Sequence, residues 1–122
     1  MKTILVVDDS TLMQWSLKTT LEGARFRVES CPDGTEAMKR INSGLKPDLI
    51  LTDLNMPNMD GLALIKAVRA KLRFTPIIVV STESQASRKD EAKRAGATGW
   101  LVKPVQPNDM LRVIGKVLPE MA

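Results

Sequence analysis

Apolar residues in this chain change their spacing repeatedly between that of a strand and that of a helix. Strand-like runs occur at TILVV (Thr3 to Val7), RFRVES (Arg25 to Ser30), DLILT (Asp48 to Thr52), PIIVVS (Pro76 to Ser81) and GWLV (Gly99 to Val102). The stretches between them carry one apolar stripe at helical spacing. Met13, Leu17, Thr20 and Leu21 share a face of the first, and Ala37, Met38 and Ile41 a face of the second. Leu62, Ile65, Val68 and Leu72 mark the third, and Met110, Ile114 and Val117 the last. The fourth, about Ala86 to Ala95, has the weakest stripe. Asp33-Gly34 and Asp60-Gly61 read as openings of the second and third helices, while Gly23, Gly44 and Gly96 read as left-handed caps.

Five strand–helix units in succession predict an α/β domain with a parallel sheet. The first, third and fourth strands are continuously apolar and should be covered on both faces. The second alternates Arg25, Phe26, Arg27, Val28, Glu29, as a half-exposed edge does. The predicted architecture is a doubly wound five-stranded parallel sheet, order 2-1-3-4-5, with helices on both faces. Ligands of such sheets bind beyond the carboxyl ends of the strands, where the winding reverses. Here the first strand ends in Asp8-Asp9, the third in Asp53, the fourth in Ser81-Thr82 and the fifth in Lys103-Pro104. Each pair alone could be a turn former or helix cap. Together they bring three carboxylates, hydroxyls and an ammonium to one rim.

Composition narrows what that rim can do. The chain has no histidine and a single cysteine, Cys31, so the commonest general base, an internal disulfide and a thiolate metal cluster are all excluded. Clustered carboxylates repel one another unless a cation joins them or one stays protonated. With oxygen ligands only, the natural cation is Mg²⁺. A carboxylate flanked by such an ion and a lysine is placed to attack a phosphoryl donor. Aromatic residues are only 3% of the chain, so the core must be aliphatic. The net charge of +4 is a mild, scattered excess; its densest cluster, Arg88, Lys89, Lys93 and Arg94, is broken by Asp90 and Glu91 and reads as a solvated helix face, with no nucleic-acid partner expected. No stretch has the length or apolarity of a membrane span or signal peptide, so no membrane insertion and a cytoplasmic location are expected.

The stretches LVVDDS, DLILTDLNMPNMDGL, PIIVVSTES and AGATGWLVKP resemble the receiver domains of bacterial two-component response regulators, specifically the CheY-like chemotaxis type. The resemblance runs from Lys2 to Leu118. It implies that Asp53 is the phosphoacceptor for a sensor histidine kinase, CheA-like in the chemotaxis case. It implies that Asp9 and Asp53 bind Mg²⁺ directly, with the backbone carbonyl of Asn55, and that Asp8 assists through water. Lys103 would pair with the acceptor and then with the phosphoryl group, and Ser81 would hydrogen-bond that group. Trp100 matches the aromatic switch position that follows Ser81, and Lys103-Pro104 matches a bond often cis in the family. Thr82 stands where the family usually has a smaller residue, and Trp100 where Tyr or Phe is commoner. Asn55, Thr82 and Glu83 fall at positions that tune dephosphorylation.

The implied output is a protein contact through the face formed by helix four, strand five and helix five, with a flagellar motor switch or a phosphatase as the target. Only PEMA remains after Leu118, so one receiver domain over residues 1–122 without an output domain is expected. Two other activities fit a parallel α/β chain of this size, besides a phosphorelay intermediate. An aspartate phosphohydrolase of the haloacid dehalogenase type would want Asp-x-Asp after the first strand and usually a cap insertion; the chain has Asp-Asp-Ser and no insertion. A flavodoxin-like electron carrier would want a hydroxyl- and glycine-rich phosphate loop there, and DDSTLMQW is not one.

Overall fold

A computed structural model describes residues 1–82 and 85–118. The strands are β1 (Thr3–Val7), β2 (Arg27–Cys31), β3 (Leu49–Thr52), β4 (Ile77–Ser81) and β5 (Gly99–Val102). They alternate with α1 (Thr11–Gly23), α2 (Gly34–Asn42), α3 (Gly61–Lys71), α4 (Ala86–Ala95) and α5 (Pro107–Val117). All strand pairs are parallel, in the order β2-β1-β3-β4-β5 that the sequence predicts. Among the described residues no helix is long and apolar enough to cross a membrane.

Strand side chains alternate between faces, so one sheet feeds two cores. Ile4, Val6, Leu51, Ile78 and Val80 pack on one side against Leu17 and Leu21 of α1 and Met110 and Ile114 of α5. Leu5, Val7, Ile50, Ile77 and Val79 pack on the other against Ala37 and Ile41 of α2, Leu64, Ile65 and Val68 of α3, and Ala92 of α4. Each fully buried Leu, Ile or Val contributes roughly 1.5–3 kcal/mol relative to exposure. The helices share this unequally: Ala92 is the one fully buried side chain of α4. That helix is therefore the most lightly anchored of the five.

Asp33 and Asp60 cap α2 and α3, accepting the backbone N–H of Glu36 and Ala63 at 2.9 Å each. Gly44 and Gly96 take left-handed conformations, φ 114° and 122°. Gly23 does not. It is the last residue of α1, and the left-handed turn falls on Arg25, φ 71°, whose N–H bonds the Glu22 carbonyl. The turn therefore displaces the start of β2 to Arg27, although Phe26 still reaches the core. Ser81 and Thr82 do not cap α4; Gln85 occupies the N-cap.

Cys31 ends β2 with 1% exposure, and burial pushes its thiol from an ordinary 9.0 to about 11. The thiolate is the disfavoured form in the folded chain. The resulting stabilisation is complete below about pH 9 and is lost as the pH rises toward 11. At pH 8 this shift alone lowers the thiolate fraction about a hundredfold. Iodoacetamide should therefore label Cys31 at least that much more slowly in native than in denatured protein, as followed by intact mass. Equal rates would contradict the burial.

Candidate functional site

The residues at the rim lie just past their strands, yet remain hooked into the hydrogen-bond ladder. Asp8 N–H donates to the Cys31 carbonyl at 3.1 Å, Asp53 N–H to Val7 at 2.9 Å, and Lys103 N–H to Ser81 at 2.9 Å. Main-chain bonds to neighbouring strands thus fix three side-chain origins before any side-chain contact forms. This is rigid placement on a sheet rather than on a free loop.

Lys103 Nζ bridges two of the acids, 2.8 Å from Asp8 Oδ2 and 3.1 Å from Asp53 Oδ2. Burial, the largest single influence on Lys103, disfavours its charge. The hydrogen bonds and charges of Asp8 and Asp53 together outweigh it, so the ammonium is held above its ordinary range. The other oxygens of these acids are bound too: Asp8 Oδ1 accepts Ser10 N–H at 2.9 Å and Asp53 Oδ1 accepts Leu54 N–H at 2.7 Å. Asp8 is 2% exposed, whereas Asp9 is open to solvent. Carboxylate oxygens of Asp8, Asp9 and Asp53 lie within 4.8 Å of one another. Three acids facing one lysine leave an excess of negative charge. An all-oxygen donor set of mixed exposure suits a hard divalent cation that keeps part of its water shell.

The other predicted site residues divide. Ser81 is fully buried at the end of β4, its carbonyl tied to Lys103. Thr82 and Asn55 are exposed, and Asn55 N–H lies 3.4 Å from Asp53 Oδ1. Trp100 does not join the acids. It pairs with Val79 in β5 and packs, partly buried, against the core that contains Ala92. Because Val79 precedes Ser81 by two positions, Trp100 and Ser81 project to the same face of the sheet. Trp100 also lines a groove of about 190 Å³ with Lys89, Ala92 and Lys93 of α4. The Lys103-Pro104 peptide is cis, as expected. Glu83 lies outside the described residues.

Two residues that shape the site escape a reading by sequence pattern. Gln14 Nε2 donates to the Asp8 carbonyl at 2.7 Å from the first turns of α1. Gly61, read only as a helix opener, lies against the acid's own backbone. Its N–H donates to the Leu54 carbonyl at 2.8 Å, and an added Cβ would sit 2.7 Å from Leu54 Cα and closer still to the Asp53 carbonyl oxygen. Gly61→Ala should therefore destabilise the domain by about 1–3 kcal/mol, because the obstacle is backbone that cannot rotate away. Gly23→Ala meets nothing within 4 Å. It should instead stabilise by about 0.4–1 kcal/mol. Thermal melts of the two variants should shift in opposite directions; a shared direction would contradict the close approach at Gly61.

These features define the class: a doubly wound α/β domain with a carboxylate–lysine site at the switch point between β1 and β3. Residues 4–115 match the family model of the response regulator receiver domain, and the chain belongs to that family. Among relatives, it is 36% identical over 118 residues to the chemotaxis protein CheY1 of Helicobacter pylori, covering 94% of this chain and 95% of that one. It is equally identical over 118 residues to the two-component response regulator ORR11 of Oryza sativa, covering 95% and 80%. Among solved structures, the chemotaxis protein CheY4 of Vibrio cholerae superposes with a TM-score of 0.91 at 41% identity, covering 97% and 99%. The receiver domain of a Pseudomonas aeruginosa sensor histidine kinase, described with a magnesium ion coordinated in its active-site cleft, gives 0.88 at 26% identity, covering 97% and 98%. Membership in a signalling family decides against the hydrolase and electron-carrier readings. Phosphorylation and Mg²⁺ binding at an acidic pocket are general properties of this family.

Proposed function

We propose that this chain is a signalling switch in which Asp53 accepts a phosphoryl group from the phosphohistidine of a CheA-like sensor kinase. The observation that carries the reading is Lys103 Nζ held between Asp8 and Asp53 inside a trio of carboxylates. An oxygen of Asp53 attacks phosphorus, the P–N bond to the donor imidazole breaks, and the leaving nitrogen keeps the electron pair. Asp8, Asp9, Asp53 and the Asn55 carbonyl would hold Mg²⁺, which when bound supplies positive charge to the transferring group. The Leu54 N–H fixes the orientation of the Asp53 carboxylate. Lys103 first neutralises the acceptor and then pairs with the new phosphoryl oxygens, a charge-assisted contact that strengthens as charge develops.

The switch follows from what the phosphoryl group adds at the strand ends. It brings new acceptor oxygens beside the Ser81–Lys103 connection. Ser81 moves toward them, and Trp100, on the same face, refills the space against the lightly anchored α4. Moving a population from 1:99 to 99:1 needs about 5.5 kcal/mol of differential interaction. A few charge-assisted hydrogen bonds at roughly 1.5–3 kcal/mol each are sufficient. Exposed Thr82 stands beside the phosphoryl position, where its bulk slows attacking water; with Asn55 and Glu83 it sets the lifetime of the phosphorylated state. The α4–β5–α5 face then meets the target.

For chemotaxis, the support is the likeness to chemotaxis proteins of several bacteria, and the corresponding target is a flagellar motor switch or a phosphatase. The equal likeness to rice response regulators supports a second reading, an intermediate in a phosphorelay outside chemotaxis. The test of the common reading is incubation with acetyl phosphate and Mg²⁺ followed by intact mass. One labile phosphoryl group per chain is expected; no added mass would overturn it. A pull-down with and without a beryllofluoride phosphoryl mimic separates the chemotaxis target from a downstream phosphotransfer protein. Trp100 fluorescence should respond to the same mimic, read in a Trp15→Phe background because Trp15 is 64% exposed.

A further inference from the structure

The β3–α3 loop, residues 53–60, is held at its base by the bond from Gly61 N–H to Leu54. It is also held at its tip, by a residue from another unit of the fold. Asn58 Nδ2 donates to Asp33 Oδ2 at 2.8 Å across 25 residues of sequence. The same carboxylate caps α2 through its other oxygen. Asn58 sits at φ 68°, a left-handed conformation in which asparagine is among the few tolerated side chains. Beside it Met59 N–H closes a tight turn onto the Pro57 carbonyl at 2.8 Å. Met59 also covers Gly34 so closely that a methyl group there would lie 2.9 Å from Met59 Cγ.

We propose that the Asn58–Asp33 contact is a positioning clasp for the divalent ion: by fixing the loop tip, it fixes the backbone of Asn55, the one predicted ion ligand carried by this loop rather than by a strand end. The inference rests on the reading of the acid trio as the Mg²⁺ site. Asp8 and Asp53 are set by the ladder, and Asp9 directly follows Asp8 in the chain, so none of the three acids is placed by the loop tip. Asn55 is exposed and three residues from the clasp, and its carbonyl direction follows the loop path. The Asp33 carboxyl is held below its ordinary range by the Glu36 N–H first and by Asn58 next, so the clasp acceptor remains charged at neutral pH. Groups that hydrogen-bond a metal ligand typically change metal affinity by roughly 10–100-fold; the clasp reaches Asn55 only through the backbone, so the lower end of that range is expected.

The test is Mg²⁺ titration by calorimetry at neutral pH of the wild type, Asn58→Gly, Asp33→Ser and the double variant. Glycine keeps the left-handed backbone and removes only the side chain. Serine keeps a cap for α2 but is too short to reach Asn58. Each single variant should bind Mg²⁺ roughly tenfold more weakly. The double variant should be no weaker than the singles, because both remove one contact. Affinities within twofold of wild type, or effects that multiply in the double variant, would overturn the clasp. A wild type that binds no Mg²⁺ would overturn the ion site itself and the clasp with it.

Discussion

Asp53→Asn should gain no mass from acetyl phosphate under conditions that fully phosphorylate the wild type, while folding as stably. The loss is total because an amide oxygen is a poor nucleophile and cannot form the acyl phosphate. The retained fold is the stronger part of the expectation. Asparagine is isosteric, and its carbonyl oxygen can still accept the Leu54 N–H that now meets Asp53 Oδ1 at 2.7 Å. The change also removes one negative charge from a site with three carboxylates and one ammonium. The lost contact to Lys103 and the relieved repulsion oppose each other, so stability without Mg²⁺ should stay within about 1 kcal/mol of wild type. Mg²⁺ should bind more weakly, since one carboxylate ligand becomes neutral. Denaturant melts with and without Mg²⁺, beside the mass assay, read both halves. An Asn variant that still takes up phosphoryl would move the acceptor to Asp8 or Asp9.

The sheet order and the strand ends were legible in the chain because they rest on local signals. Continuous apolar runs mark β1, β3 and β4, and the acids that follow β1 and β3 mark where those two strands stop. Even α4, with the weakest stripe, was bounded correctly as Ala86–Ala95, since Gly96 ends it by conformation rather than by packing. What escaped involves pairs far apart in sequence or the absence of a side chain. Gly61 carries two duties, and only helix opening has a sequence signature; its approach to Asp53 exists only once β3 and α3 are placed. The Asn58–Asp33 contact joins two turns that each look complete. Gly23 was misread because glycine favours a left-handed cap, whereas the Glu22 carbonyl accepts Arg25 N–H and the reversal falls there.

Lys103→Met tests the other half of the site, and its effects should separate in sign. Methionine fills a similar apolar volume without the charge. Without Mg²⁺, the buried Asp8 carboxylate, 2% exposed, loses the cation 2.8 Å away while Asp53 still faces it. Removing one partner of a buried pair typically costs about 3–5 kcal/mol, a large share of the total stability of a small domain. At several degrees per kcal/mol, the melting temperature should fall by roughly 10–20 °C. Mg²⁺ should then raise the melting temperature of the variant more than that of the wild type, because the ion no longer shares the acids with an ammonium. Phosphorylation by acetyl phosphate should nevertheless slow by about 10²–10³-fold, the usual result of deleting one preorganised charge contact to a transferring group. Lys103→Arg should not restore the rate, since a planar fork cannot occupy the point between Asp8 and Asp53 that one nitrogen now fills. A variant that gains stability from Mg²⁺ yet reacts at the wild-type rate would limit Lys103 to a structural counter-charge.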